Sequence, residues 1–163
     1  METAFLLLGS NLGDREANLK IALKRLSTIG KIAQTSAIYS TKAWGKTDQP
    51  DYLNQAVALS TFLIPEKLLR EILSIELALG RVRQENWGPR LIDIDILLFG
   101  NRVVDSKNLK IPHPELTKRR FALVPLAEIA EYHIHPTTGR TVQQLLSICS
   151  DELSVEFWKK NLD

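Results

Sequence analysis

The sequence predicts an α+β protein whose first hundred residues run strand, helix, strand, strand, helix, strand. Two observations lead to this prediction. Two segments carry apolar residues at helical spacing, and each is bounded by a cap or a proline at its start and by glycine at its end. The segments around them are apolar or alternate with polar residues over strand-like lengths. Shorter elements follow as C-terminal additions.

The chain begins with an apolar strand at residues 3–8, and a Gly-Ser-Asn-Leu-Gly turn at 9–13 leads into the first helix. Asp14 is the predicted cap of this helix. The apolar residues that recur at helical spacing before Gly30 are Leu19, Leu23 and Leu26. Strand then helix is therefore the expected start.

Residues 32–41 and 52–62 alternate polar with β-branched and apolar residues, which predicts two strands joined by a long connection. Pro65 then begins a second helix that Gly80 ends. The stripe of this helix that should face the core consists of Leu68, Ile72, Ile75 and Leu79. A loop with three arginines separates it from the last strand.

The order βαββαβ generally gives the ferredoxin-like fold, an antiparallel sheet with both helices on one face. The other face should then be open for function. Short additions are expected around 103–104, 121–129 and 141–148. Since neither an internal repeat nor a linker interrupts the chain, residues 1–163 are predicted to form one domain.

Composition sets further limits. The 163 residues are 44% hydrophobic and 25% charged, which is typical of a globular protein with a sizeable core. The net charge is +2, and clusters of basic residues at 81–90 and 118–120 favour a small anionic ligand over a nucleic acid. Cys149 is the only cysteine, which excludes an internal disulfide.

The apolar stretch at residues 4–8 is too short for a signal peptide or a membrane span. We therefore expect a cytoplasmic protein without membrane or nucleic-acid partners. It should be a monomer or a weak homodimer.

Two carboxylates interrupt the last strand. Asp93 and Asp95 share one face because side chains alternate along a strand. The opposite face should carry Ile92, Ile94, Ile96 and Leu98. Mg²⁺ is commonly bound by one or two carboxylates together with substrate phosphates, and arginine forks suit phosphate oxygens. The arginines upstream are Arg81, Arg83 and Arg90.

This pattern predicts a metal and nucleotide site. An edge strand with two solvated aspartates is the alternative. If the isoleucines pack beneath the helices, Tyr52 and Asn54 can point to the same open face as the carboxylates. An ordinary polar strand face is the alternative for these two residues.

Five motifs follow one another along nearly the whole chain. They are Gly-Ser-Asn-Leu-Gly at 9–13, Asp-Gln-Pro-Asp-Tyr-Leu-Asn at 48–54, Gly-Arg-Val-Arg at 80–83, Trp-Gly-Pro-Arg-Leu-Ile-Asp-Ile-Asp at 87–95, and Pro-His-Pro at 112–114 with Arg119 and Phe121. In this order they closely resemble the 6-hydroxymethyl-7,8-dihydropterin pyrophosphokinases of the folate pathway. The resemblance implies transfer of the β,γ-diphosphoryl group of ATP to the dihydropterin hydroxymethyl group, leaving AMP, with ATP as co-substrate.

The resemblance also implies roles for single residues. Asp93 and Asp95 would hold two Mg²⁺ ions and, with Arg81 and Arg90, form the catalytic set. The residues implied on the ATP side are Glu76, Arg83, Trp87, Arg90, His113 and Arg119. The dihydropterin would lie between Tyr52 and Phe121, with Asn54 at its edge and Thr41 and Trp44 completing the pocket. A solvated helix residue is the alternative for Glu76.

Two other classes of protein were weighed. Another Mg²⁺-dependent nucleotidyltransferase or phosphotransferase could combine a Gly-Ser turn with two aspartates. In nucleotidyltransferases the two lie close together, whereas most of the βαββα unit separates Ser10 from Asp93 here. A non-catalytic ferredoxin-like RNA-binding module would carry exposed aromatic residues where these strands carry aspartates.

Overall fold

The computed structural model describes residues 1–42, 49–80 and 91–160. The elements of the first hundred residues are Glu2–Ser10 (β1), Arg15–Leu26 (α1), Lys31–Thr35 (β2), Ile38–Thr41 (β3), Tyr52–Thr61 (β4), Pro65–Ala78 (α2) and Asp93–Phe99 (β5). The later elements are Val104–Asp105 (β6), Lys110–Ile111 (β7), a 3₁₀ turn at Leu116–Lys118, Arg120–Ala130 (α3), Val142–Ile148 (α4) and Val155–Lys159 (β8). The ferredoxin-like class is confirmed, but these first seven elements follow the order βαβββαβ, with one strand more than predicted.

Both predicted helix starts are confirmed. The Asp14 carboxylate accepts the Ala17 N–H at 3.1 Å and caps α1, and Pro65 is the first residue of α2. The expectation that α1 runs to Gly30 was wrong, because the helix ends at Leu26. Thr28 and Ile29 follow it with tighter i→i−3 bonds, such as the Ile29 N–H to the Leu26 carbonyl at 3.0 Å.

The single strand predicted at 32–41 is two strands, and both pair with β4. The break falls at Ser36, whose hydroxyl accepts the Ala56 N–H at 2.9 Å. The Gln55 side-chain amide donates a hydrogen bond to the Ser36 carbonyl at 2.9 Å. The Ser36 hydroxyl thus replaces one backbone acceptor between the strands, and the register of pairing with β4 shifts between β2 and β3.

Strand β1 lies between β4 and β5, antiparallel to both. Gly9 is opposite Asn54 on one side and Asp93 on the other. The strand order β5-β1-β4-β3-β8 leaves β5 at one edge of this sheet in the described part of the chain. The polar ends of three strands are therefore brought side by side.

One facing prediction for β5 was wrong. Ile94 and Ile96 lie on the face of α1 and α2 as expected, but Leu98 packs on the opposite face with Leu97. The pairing with β1 shifts by one residue at this point, so that Leu97 is an extra residue and Phe99 takes the helix face. A bulge of this kind reverses the alternation beyond it.

The sheet is covered on both faces, which corrects the expectation of an open second face. Helices α1 and α2 pack on one face through Leu19, Leu26, Leu68 and Ile72. Helices α3 and α4 cover part of the other through Leu123, Leu126, Val142 and Leu145. The additions predicted at 121–129 and 141–148 are thus packed helices, whereas the one at 103–104 falls at the short strand β6. Strand β8 was not predicted, and it extends the sheet beside β3. No helix among the described residues is long and apolar enough to cross a membrane.

Candidate active site

Two clefts meet at Asp93 and Asp95. The first, which we call the aromatic cleft, is lined by Leu7, Gly9, Thr41, Lys42, Tyr52, Asn54, Asp93, Asp95, Arg119 and Phe121. The second, the edge cleft, runs along the outer edge of β5 and is lined by Leu69, Leu73, Glu76, residues 93–96, residues 107–110, His113 and Pro114. Both aspartates are half-buried and line both clefts. The structure therefore joins two binding spaces at one pair of carboxylates.

The floor of the aromatic cleft depends on Gly9. A β-carbon at this position would lie 2.8 Å from the Asn54 Oδ1 atom and 3.3 Å from the Tyr52 ring. Asn54 is buried, and its amide donates to the Thr41 hydroxyl at 2.6 Å. Glycine is needed here because the two side chains lie directly across the backbone of β1.

The opposite element of this cleft is the start of α3. Arg119 immediately precedes the helix, and Phe121 lies in its first turn. The Arg119 guanidinium carbon lies 5.6 Å from the centre of the Phe121 ring, within cation–π distance. The structure thus brings together seven of the predicted site residues in one cleft: Thr41, Tyr52, Asn54, Asp93, Asp95, Arg119 and Phe121.

The edge cleft places Glu76 and His113 beside the same aspartates. Glu76 is 3% exposed, and its carboxylate accepts the Ile94 N–H at 2.9 Å. The interpretation of Glu76 as a solvated helix residue is therefore wrong, because α2 is packed against an edge strand whose N–H needs an acceptor. The backbone N–H of His113 donates to the Leu97 carbonyl at 2.9 Å, and this bond holds the histidine at the same edge of β5.

His113 is kept neutral by its surroundings. Burial, together with the positive charge of Arg119, lowers the pKa of His113 to about 4, although the carboxylates of Asp93 and Glu115 act in the other direction. Its Nδ1 atom accepts the Glu115 N–H at 3.1 Å, which assigns the ring proton to Nε2. At neutral pH this ring can therefore donate one hydrogen bond without carrying a charge.

We expect the ring signals of His113 in the ligand-free protein to titrate near pH 4 by NMR. The unfolded chain takes up this proton near pH 6.5, so the free energy of unfolding should fall as the pH drops from about 6.5 to 4. The variant His113→Gln should flatten that slope. A midpoint near 6.5 in the folded protein would contradict the inferred burial.

The carboxylates at this site could bind Mg²⁺ only if phosphate oxygens of a substrate completed its coordination. Among the described residues, no group of three or more His, Cys, Asp or Glu side chains could hold a metal ion. Asp93 and Asp95 provide two carboxylates on one face of a strand, and Mg²⁺ is commonly bound by such a pair plus phosphate oxygens. The alternative of an edge strand with two solvated aspartates is right about the edge, but both side chains are half-buried in the clefts.

Five predicted site residues lie outside the described residues: Trp44, Arg81, Arg83, Trp87 and Arg90. Several lining residues were not predicted from the sequence, namely Gly9 and Lys42 in the aromatic cleft and Leu69, Leu73, Lys107 and Lys110 in the edge cleft. A signal for two of them was present. Leu69, Leu73 and Glu76 follow one another at helical spacing beside the core stripe.

A ferredoxin-like sheet whose two clefts share a carboxylate pair can hold two ligands side by side, as a two-substrate transferase must. The sequence pattern of the 7,8-dihydro-6-hydroxymethylpterin-pyrophosphokinase (HPPK) family matches residues 5–131. This chain belongs to that family. The RNA-binding and nucleotidyltransferase alternatives are thereby rejected.

Relatives agree over most of the chain. A 2-amino-4-hydroxy-6-hydroxymethyldihydropteridine pyrophosphokinase of Methylorubrum extorquens is 48% identical over 90% of this chain and 93% of its own length. The enzyme of that name from Aquifex aeolicus is 44% identical over 88% of this chain and 90% of its own. A crystal structure of Plasmodium falciparum HPPK-DHPS is similar in fold, with a TM-score of 0.70 and 20% identity. The two structures match over 90% of this chain and 43% of the longer Plasmodium chain.

Proposed function

We propose that this chain catalyses its family's reaction where the two clefts meet, with the pterin in the aromatic cleft and ATP along the edge of β5. The reaction is the transfer of diphosphate from ATP to 6-hydroxymethyl-7,8-dihydropterin in folate synthesis. The observation that carries the assignment is that Asp93 and Asp95 line both clefts. The diphosphate would then be transferred from ATP to the pterin next to these carboxylates.

The aromatic cleft suits a flat heterocycle. Tyr52 and Phe121 offer two aromatic rings, and stacking on each is worth about 1 kcal/mol beyond the burial of area. Asn54 uses one amide hydrogen on Thr41 and has a second to offer. The rings would bind the pterin, and the amide would orient its edge.

The edge cleft suits a nucleotide. Leu69 and Leu73 provide an apolar patch at one part of the cleft, and Lys107 and Lys110 add positive charge. His113 would donate its Nε2 hydrogen to a phosphate oxygen, and Arg119 would place a guanidinium near the aspartates. The motif arginines Arg81, Arg83 and Arg90, with Trp87, would complete the ATP contacts, as Trp44 would complete the pterin pocket. Glu76 would act by holding the edge of β5 beside the nucleotide.

Asp93 and Asp95 would hold two Mg²⁺ ions, which fit the pair because phosphate oxygens complete their coordination. When bound, the ions would supply neutralising charge for the transferred phosphates. The residues of the chain would contribute by positioning the two substrates. Phosphoryl transfer needs alignment and charge stabilisation rather than a protein nucleophile, and the shared carboxylates would set where the pterin hydroxyl meets the β-phosphorus.

The reaction can be tested by phosphorus NMR of the protein with ATP, Mg²⁺ and 6-hydroxymethyl-7,8-dihydropterin. AMP and a pterin diphosphate ester should appear in equal amounts, and a chelator should stop the reaction until Mg²⁺ is restored. ADP with a monophosphorylated pterin would identify a simple kinase. AMP formed without pterin would identify a hydrolase, and either result would overturn the proposal.

Gly9→Ala should weaken dihydropterin binding about tenfold, because the new methyl group would displace the Asn54 amide and press on Tyr52. ATP binding should change little, and isothermal titration calorimetry separates the two ligands. Gly139→Ala is the matched control. It puts a side chain at a positive φ of 72° with nothing within 4 Å, and so it lowers stability without touching either cleft. Equal losses in the two variants would contradict the close approach at Gly9.

A further inference from the structure

The C-terminal segment, residues 149–160, contacts α3, which forms one wall of the aromatic cleft, and β3, which carries Thr41 in the same cleft. It lies beyond residue 131, where the family match ends, and it lines neither cleft. We propose that this segment positions the pterin-binding walls, chiefly through Asp151, which holds the first turn of α3. The inference rests on the proposed function, since it takes the aromatic cleft as the pterin site.

The start of α3 has no cap of its own. Arg119 occupies the N-cap position and makes no side-chain capping bond, because a guanidinium has no acceptor. The acceptor comes from 31 residues further along the chain, where the Asp151 Oδ2 atom accepts the Arg120 N–H at 3.0 Å. A carboxylate is also favoured electrostatically at a helix N-terminus. The turn that carries Phe121 is therefore held by the C-terminal segment.

Asp151 is itself fixed. Its other oxygen, Oδ1, accepts the Leu153 N–H at 3.0 Å. The far part of α3 is anchored separately, since the Glu128 carboxylate accepts the Tyr39 hydroxyl at 2.8 Å and the Ala37 N–H at 3.1 Å. With that end secured, the Asp151 bond decides how firmly the Phe121 end is held.

The opposite wall is braced by Trp158. Its indole N–H donates to Glu16 at 2.8 Å, and the Arg15 guanidinium lies 5.3 Å from its ring centre. Arg15 donates to the Asp51 carbonyl at 3.0 Å, and Asp51 immediately precedes Tyr52. The segment thus bonds directly to the backbone next to Phe121, and it is linked through Arg15 to the backbone next to Tyr52.

The floor of the cleft is linked to the same segment. In the sheet, Val155 of β8 is opposite Thr41 of β3, the residue that accepts the Asn54 amide. None of the edge-cleft residues belongs to the segment. Loss of these contacts should therefore weaken pterin binding more than ATP binding, for which Arg119 is the one proposed contact at the start of α3.

The main test compares Asp151→Ala with two matched variants in the full-length protein. Asp151→Ala should raise the Kd for dihydropterin about fivefold, the factor that corresponds to loss of a typical helix cap. Asp151→Asn keeps one acceptor oxygen, which can serve either the Arg120 or the Leu153 N–H but not both, and should give a Kd between those of the wild type and Asp151→Ala. Thr141→Ala removes the capping box of α4, which lines neither cleft, and should lower stability without changing either Kd.

Hydrogen exchange provides a readout that needs no ligand. In Asp151→Ala, the amides of Arg120 and Phe121 should exchange faster than in the wild type, and in Thr141→Ala they should not. If the wild-type protein fails to bind dihydropterin, the proposed function is wrong. Unchanged exchange at the start of α3, or a similar pterin Kd in Asp151→Ala and Thr141→Ala, would overturn the positioning role alone.

A second pair of variants keeps the inference testable if Asp151→Ala does not fold. Trp158→Leu removes the contact to Arg15 and should raise the pterin Kd severalfold with an unchanged ATP Kd. Tyr132→Leu is its control, because Tyr132 is 78% exposed, lies outside the segment and lines neither cleft, and it should change neither Kd. Parallel losses for pterin and ATP in Trp158→Leu would show a general loss of stability and would contradict the proposal.

Discussion

Replacing Asp93 or Asp95 by alanine is expected to lower the rate of diphosphate transfer at least about a thousandfold and to leave a folded protein. Metal stabilisation of phosphate charge is worth several kcal/mol, and each 1.4 kcal/mol is about a factor of ten in rate. Both side chains are half-buried in the clefts and belong to neither hydrophobic core, so their loss should not empty a packed region. AMP formation and thermal unfolding measure the two effects separately.

Glu71→Ala is the control for removing a carboxylate. Glu71 is exposed on α2, the helix that also lines the edge cleft, but it is not a lining residue. Its activity and its Mg²⁺ dependence should match the wild type. Turnover close to the wild-type rate in Asp93→Ala or Asp95→Ala would refute the assignment of the shared carboxylates.

Phe121→Ala and Tyr52→Ala should each weaken dihydropterin binding at least about tenfold and change ATP binding less than about twofold. Each ring contributes stacking of about 1 kcal/mol beyond the area that it buries against the ligand. Both rings line the aromatic cleft and neither lines the edge cleft. Calorimetric titration with dihydropterin and with a nonhydrolysable ATP analogue distinguishes the two sites.

The matched control is Phe62→Ala, since Phe62 is 85% exposed and lies in neither cleft. It should leave both affinities unchanged. If the losses in Phe121→Ala were equal for the two ligands, the ring would be a packing residue for α3 rather than a binding residue. Because Asp151 holds the turn that carries Phe121, Asp151→Ala should raise the pterin Kd less than Phe121→Ala does. In a protein that already carries Phe121→Ala, adding Asp151→Ala should raise the Kd little further.

Local patterns predicted the parts of this protein that depend on neighbouring residues. The cap at Asp14, the start of α2 at Pro65 and the common face of Asp93 and Asp95 follow from helical and strand periodicity, and all are found. Family membership was also predicted, since its motifs are stretches of contiguous sequence, and the family match confirms it. These features need no knowledge of which segments meet in space.

Contacts between distant segments decided the rest. The bulge that turns Leu98 to the second face depends on pairing with β1, and the burial of Glu76 depends on the edge strand that α2 covers. The cap of α3 comes from Asp151, which no local capping pattern could reveal. Periodicity determines which face of an element a residue occupies, whereas the partner that satisfies its hydrogen bonds is chosen only when the elements pack.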